Sequence, residues 1–76
     1  MLNNIKKSIV ILFISPESLD YDLVLNYLLA NPYVKQLFRI SQGFLFELEM
    51  YREDRRVLFG TLIQSEVTNI EVYDIL

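Results

Sequence analysis

A chain of 76 residues with 53% hydrophobic side chains forms one domain with a small core, and domains of this size are marginally stable alone. Seven basic and ten acidic side chains give a net charge of −3, and the basic ones are scattered rather than gathered into the patch that nucleic-acid binding favours. The chain has no cysteine or histidine, which excludes disulfides, thiolate and histidine catalysis and the usual zinc sites.

Residues 8–15 are rich in β-branched and aromatic side chains and end before a proline, which predicts a strand buried on both faces. The run also follows two lysines, as the apolar part of a signal peptide would. However, Pro16-Glu17 stands where small residues would mark a cleavage site. We therefore interpret the run as a central strand after a flexible segment at residues 1–7. We expect a cytoplasmic protein without a membrane span.

A first helix is predicted from Pro16-Glu17 to about Ala30. Proline is tolerated in a first helical turn and an early acidic residue is favoured there. Asn31-Pro32 ends the helix, because the residue before a proline is driven out of the helical region. Apolar side chains at helical spacing predict the buried stripe: Leu19, Leu23, Tyr27 and Ala30 in one row, with Val24, Leu25, Leu28 and Leu29 beside it.

Residues 34–40 and 44–50 are predicted as a β-hairpin with a three-residue turn at 41–43. The last residue of such a turn takes the left-handed conformation, which Gly43 adopts at least cost. The resulting register separates an apolar face from a mixed, charge-matched face. The predicted inner pairs are Ile40–Phe44, Phe38–Phe46, Gln36–Leu48 and Val34–Met50, and the outer pairs are Arg39–Leu45, Leu37–Glu47 and Lys35–Glu49.

Residues 52–65 are predicted as a second helix, and Gly60 within it is expected to mark close packing on the sheet. Residues 70–76 are predicted as a last strand. The predicted buried stripe of the helix is Leu58, Phe59, Leu62 and Ile63, and the last strand turns Ile70 and Val72 inward and Glu71, Tyr73 and Ile75 outward.

The order strand, helix, strand, strand, helix, strand is the ferredoxin-like pattern. It predicts a single α+β domain over residues 1–76. Right-handed crossovers then give a four-stranded antiparallel sheet of order 4-1-3-2 with both helices on one face.

The segment from Gly43 to Phe46 is similar to the RNA-contact strand of RNA-recognition domains, in which two aromatic residues face outward. That orientation would bury Glu47 and Glu49 without partners, at a cost of several kcal/mol. We therefore expect Phe44 and Phe46 in the core and do not expect nucleic acid as a partner.

The sheet face away from the helices is the predicted interaction surface. Either parity of the first strand leaves three large apolar side chains there, and a monomer seldom exposes such a patch without using it. We expect a homodimer or the docking of a protein or peptide, and we expect Leu37→Glu to disrupt association with little unfolding. The candidate residues are Lys35, Leu37, Arg39, Leu45, Glu47, Glu49, Tyr73 and Ile75.

Carboxylates and basic side chains also have catalytic or metal-binding interpretations. Glu47 and Glu49 project from one face, as a catalytic pair or metal site would require, but an ion-pair lattice with Lys35 and Arg39 explains them better. The charged segment 52–56 is interpreted as a solvated helix start with local ion pairs. We expect no enzymatic activity, cofactor or metal.

Across residues 8–76 the chain resembles two kinds of small ferredoxin-like module. Residues 31–34 and Gly43 resemble regulatory domains of the ACT and Lrp/AsnC type, which implies amino-acid binding at a subunit interface. The same positions, with residues 8–10, Pro16-Glu17 and 43–49, resemble the NapD-type chaperone, which implies binding of a signal peptide. A protein-binding module is the leading hypothesis, and an effector-binding domain is the alternative.

Overall fold

A computed structural model describes residues 5–76, and the order of its elements confirms the ferredoxin-like pattern. The antiparallel sheet has the order β2-β3-β1-β4, which is the predicted order, and both helices pack on one face of it. The elements are β1 (Ile5–Phe13), α1 (Tyr21–Ala30), β2 (Val34–Ile40), β3 (Gly43–Tyr51), α2 (Arg52–Leu62) and β4 (Asn69–Asp74). Of the segment predicted to be flexible, residues 5–7 belong to β1, and residues 1–4 lie outside the described part.

The central strand β1 pairs with β3 on one side and β4 on the other. Val10 and Leu12 are fully buried against the helices. The alternate row of Ile9, Ile11 and Phe13 is only partly buried and faces away from the helices. Sequence pattern alone left this parity open, and the structure decides it.

Helix α1 begins at Tyr21, five residues later than predicted from Pro16. Residues 16–20 form turns instead, in which backbone N–H groups of Glu17 and Asp20 donate to the hydroxyls of Ser15 and Ser18. Serine hydroxyls compete with helical hydrogen bonds in this way.

The predicted stripe of α1 is confirmed at Val24 and Leu28, and partly buried Leu25 packs against the core, but the rest of the buried face differs. The buried face consists of Tyr21, Val24 and Leu28. Leu19, predicted to be buried, is 93% exposed, and Leu23 is 66% exposed. Leu19 lies before the first residue of the helix, so it cannot belong to the helical stripe.

The β2–β3 register differs from the predicted one by one residue at the turn. Ile40 lies opposite Gly43, and Phe38 lies opposite Leu45, so that the turn consists of residues 41–42. Gly43 does have a positive φ, of 151°. The reason is its contact with β1: a Cβ at this position would collide with the carbonyl oxygen of Leu12.

A β-bulge then interrupts β2 between Lys35 and Phe38. Gln36 has a φ of 52°, in the left-handed region, and two residues of β2 occupy the place opposite Phe46. The bulge reverses the alternation of side chains. Leu37 therefore packs against the core, and Phe38, predicted to be inside, is 56% exposed.

Helix α2 is shorter than predicted and buries Leu58 and Leu62, with Phe59 packed partly against the core. Ile63 lies past its end and is exposed, contrary to the predicted stripe. Gly60 does not mark close packing, because a Cβ added there would meet no atom within 4 Å.

Candidate interaction surface

The sheet side away from the helices, here called the open sheet face, is assembled from the strand registers. Its rows run across all four strands and combine an apolar part with a charged part. The apolar part includes Ile9, Ile11, Phe13, Phe38, Ile40, Leu45 and Tyr73, and the charged part consists of Lys7, Lys35, Glu47, Glu49 and Glu71.

Five of the eight predicted site residues lie on this face: Lys35, Leu45, Glu47, Glu49 and Tyr73. Ile75 follows the end of β4 and is half exposed, and its backbone N–H donates to the carbonyl of Lys7 at 2.8 Å. The structure places the remaining two, Leu37 and Arg39, on the opposite side of the sheet.

Arg39 belongs to the helix side because it pairs with buried Phe44 across the β2–β3 ladder. Its Nε donates to the hydroxyl of Tyr21 at 3.3 Å, and its guanidinium lies 5.6 Å from the centre of that ring. The hydrogen bond to Tyr21 raises the pKa of Arg39. Arg39 therefore ties β2 to α1 and does not contribute to the open sheet face.

Phe38 is the residue that the sequence interpretation missed on the open sheet face. It forms a cross-strand pair with Leu45, and Leu45 in turn lies opposite Ile11 on β1. The row thus presents three neighbouring apolar side chains on the face that no helix covers. Regular alternation puts Phe38 on the other side, and Gln36, where the bulge occurs, is not a residue that signals one.

Two side-chain contacts engage the charged part of the open sheet face. Lys7 Nζ lies 3.7 Å from Glu47 Oε1, and Lys35 lies opposite the same glutamate. On β4 the Tyr73 hydroxyl donates to Glu71 Oε1 at 2.9 Å, which raises the pKa of Tyr73. Ion pairs at exposed positions contribute little to stability, so these side chains are available for other contacts.

A second polar cluster lies at the boundary between β1, β4 and α2. Fully buried Ser8 donates to Asp74 Oδ1, and Arg55 Nη1 donates to both Ser8 Oγ and Asp74 Oδ1, each at 2.7 Å. Hydrogen bonds from Arg55 and Ser8 lower the pKa of Asp74. Arg55 therefore links α2 to β1 and β4. Local ion pairs are the sequence interpretation of the segment 52–56, whereas Arg55 pairs with Asp74 on β4.

Among residues 5–76, no group of three or more histidine, cysteine, aspartate or glutamate side chains could hold a metal ion. No helix in the same range is both long and apolar enough to cross a membrane.

Comparison of the chain with known protein families, with curated proteins and with solved structures finds no match. The resemblances to the ACT and Lrp/AsnC type and to the NapD type therefore stay predictions. Evidence for the candidate interaction surface comes from the geometry of the open sheet face.

Proposed function

We propose that this protein is a non-enzymatic assembly module that forms a homodimer by packing two open sheet faces together. The observation that carries the proposal is the row of Phe38, Leu45 and Ile11, which lies on the sheet face that no helix covers. Burial of such a row between two copies would contribute about 25 cal/mol for each Å² of apolar surface removed from water. A small domain gains most from such an added core.

The charges of the open sheet face support a second copy as the partner. Two lysines and three glutamates lie on it, so the face is close to neutral. A two-fold axis places the same surface on both subunits. Lysines of one copy can therefore approach glutamates of the other without a net repulsion between the faces. Such charge pairing favours the correct orientation of the two copies more than it adds affinity.

The dimer face also has the chemistry to receive a peptide of another protein, which is the wider form of this proposal. The alternative is an effector domain that binds an amino acid at the dimer interface, and it predicts that dimerisation depends on that ligand.

For the cellular location we propose the cytoplasm. Residues 8–13 could be mistaken for part of a signal peptide, but they carry the core side chains Val10 and Leu12.

Sedimentation equilibrium over a wide concentration range tests the proposal. The wild-type chain should reach twice its monomer mass of 9.0 kDa, and Phe38→Asp should remain monomeric and folded. Leu19→Asp is the matched control, since Leu19 is also apolar and more exposed but lies in the turns before α1, outside every strand. The homodimer would be refuted if the wild-type chain stayed monomeric at high concentration. It would not form through the open sheet face if Phe38→Asp dimerised as well as the wild type.

Repeating the sedimentation with a panel of amino acids separates the alternative. A mass that changes only when one amino acid is present would support the effector domain. A mass that is independent of the panel supports the assembly module.

A further inference from the structure

The helix side of the molecule has a cleft of about 410 Å³ that the open sheet face does not involve. The cleft lies between the C-terminal end of α1 and the first turns of α2, which make few contacts with each other. Its volume falls within the range of small-molecule sites, which is about 300–1,000 Å³. It is a different surface from the proposed dimer face, so its occupation does not depend on dimerisation.

The walls of the cleft are aromatic and aliphatic. Tyr27 and Tyr33 supply two rings, and Met50, Val57 and Leu58 supply apolar side chains. Tyr33 and Val57 are well exposed, although residues of this size usually contribute to a core. The cleft thus offers apolar surface to a ligand body of similar character.

One acidic side chain, Asp54, lines the cleft. It belongs to the first turn of α2, and neither a hydrogen bond nor an ion pair engages its carboxylate within residues 5–76. Arg55, the nearest basic neighbour in sequence, is already held by Asp74 and Ser8. A carboxylate beside tyrosine rings attracts a cation by charge and by the negative faces of the rings.

We propose that this cleft binds a small organic monocation with an aromatic body, with its ammonium group on Asp54 and its ring between the tyrosines. The carboxylate favours a cation, the tyrosine faces favour a cation or an aromatic ring, and the volume fits a small molecule. An anion would be repelled by Asp54, and a neutral analogue would lose the charge-assisted hydrogen bond.

Titration of the isotope-labelled full chain with phenethylamine, followed by amide chemical shifts, tests the proposal. The shifts should map to residues 27–33 and 50–58. Asp54→Asn should weaken binding about tenfold, as expected for the loss of one hydrogen bond between charged groups. Glu53→Gln is the matched control, because it removes a neighbouring carboxylate that does not line the cleft.

Two analogues keep the test decisive even if Asp54→Asn alters the fold. Phenethyl alcohol and 3-phenylpropionate have the same ring without the positive charge, and both should bind the wild-type chain much more weakly than phenethylamine. Equal binding of the three compounds, shifts that map outside the cleft, or no binding of phenethylamine would each overturn the proposal.

Discussion

Phe38 lies opposite Leu45 rather than Phe46, and this offset decides which side chains of β2 reach the open sheet face. The two residues that flank the end of the bulge are neighbours in the chain but face opposite environments. Leu37 packs against the core and Phe38 is largely exposed. The same chemical change at these adjacent positions should therefore have different effects.

Leu37→Asp and Phe38→Asp form the first prediction. Leu37→Asp should lower the free energy of unfolding by about 2–4 kcal/mol, because it removes packed apolar volume and brings a charge to the core edge. Phe38→Asp should change the free energy of unfolding of the monomer by less than about 1 kcal/mol, since an exposed edge position depends mainly on strand propensity. Urea unfolding at a concentration that favours monomers measures both. The reverse order of the two losses would place the bulge elsewhere.

The two glycines should respond oppositely to alanine. Gly43→Ala should destabilise the domain by more than about 2 kcal/mol, because the positive φ and the backbone of β1 leave no room for a Cβ. Gly60→Ala should stabilise it by about 0.5–1 kcal/mol, since the site is open and alanine favours the helix. Thermal unfolding of the two variants provides the measurement. A loss of stability in Gly60→Ala would contradict the open space around this position.

Asp74 should make stability depend on pH in the acid range. The Arg55 and Ser8 hydrogen bonds hold the pKa of Asp74 below its ordinary value of 3.8. The lower folded-state pKa means that Asp74 adds stability above pH ~4, and that this contribution disappears as the pH falls through the folded-state pKa.

The measurement for Asp74 is the melting temperature of wild type and Asp74→Asn between pH 2 and 7. The wild type should melt higher near neutral pH, and the difference should shrink towards pH 2. Glu53→Gln serves as a control, since no described contact engages Glu53. A constant difference across the range would mean that the Asp74 carboxylate contributes no ionisation-linked stability.

Phe44 provides a test against the RNA-platform interpretation. Its ring is fully buried and lies 4.8 Å, centre to centre, from the ring of Tyr21. Phe44→Leu should therefore lower the free energy of unfolding by more than about 1 kcal/mol, because leucine leaves part of the ring's volume empty in a packed core. Chemical denaturation and binding of labelled single-stranded RNA should be measured together. RNA binding that is lost in Phe44→Leu at unchanged stability would contradict the core role.

Element order and most inward positions could be predicted because they depend on local patterns. The alternation of Phe44, Phe46 and Leu48 with acidic residues identified the buried side of β3, and all three are fully buried. Ile70 and Val72 of β4 likewise pack against the core as expected.

The register of β2 could not be predicted, because its causes are distant in sequence. Gly43 is required by its approach to the backbone of Leu12, and not by a three-residue turn. Ser8 on the buried side of β1 is explained only by Arg55 and Asp74, which the fold brings to it from two other elements. Neither relationship leaves a periodic signal in the sequence.

The bulge in β2 also affects whether another chain can add to the edge of the sheet. A regular edge strand offers a continuous template for another chain, whereas a residue in the left-handed region bends the strand and interrupts that template. Gln36 does so near the middle of one sheet edge. The opposite edge, β4, has only six residues, and a short edge strand offers little backbone for pairing with another chain. Growth of the sheet by addition of further copies is therefore disfavoured at both edges, while stacking through the face remains open.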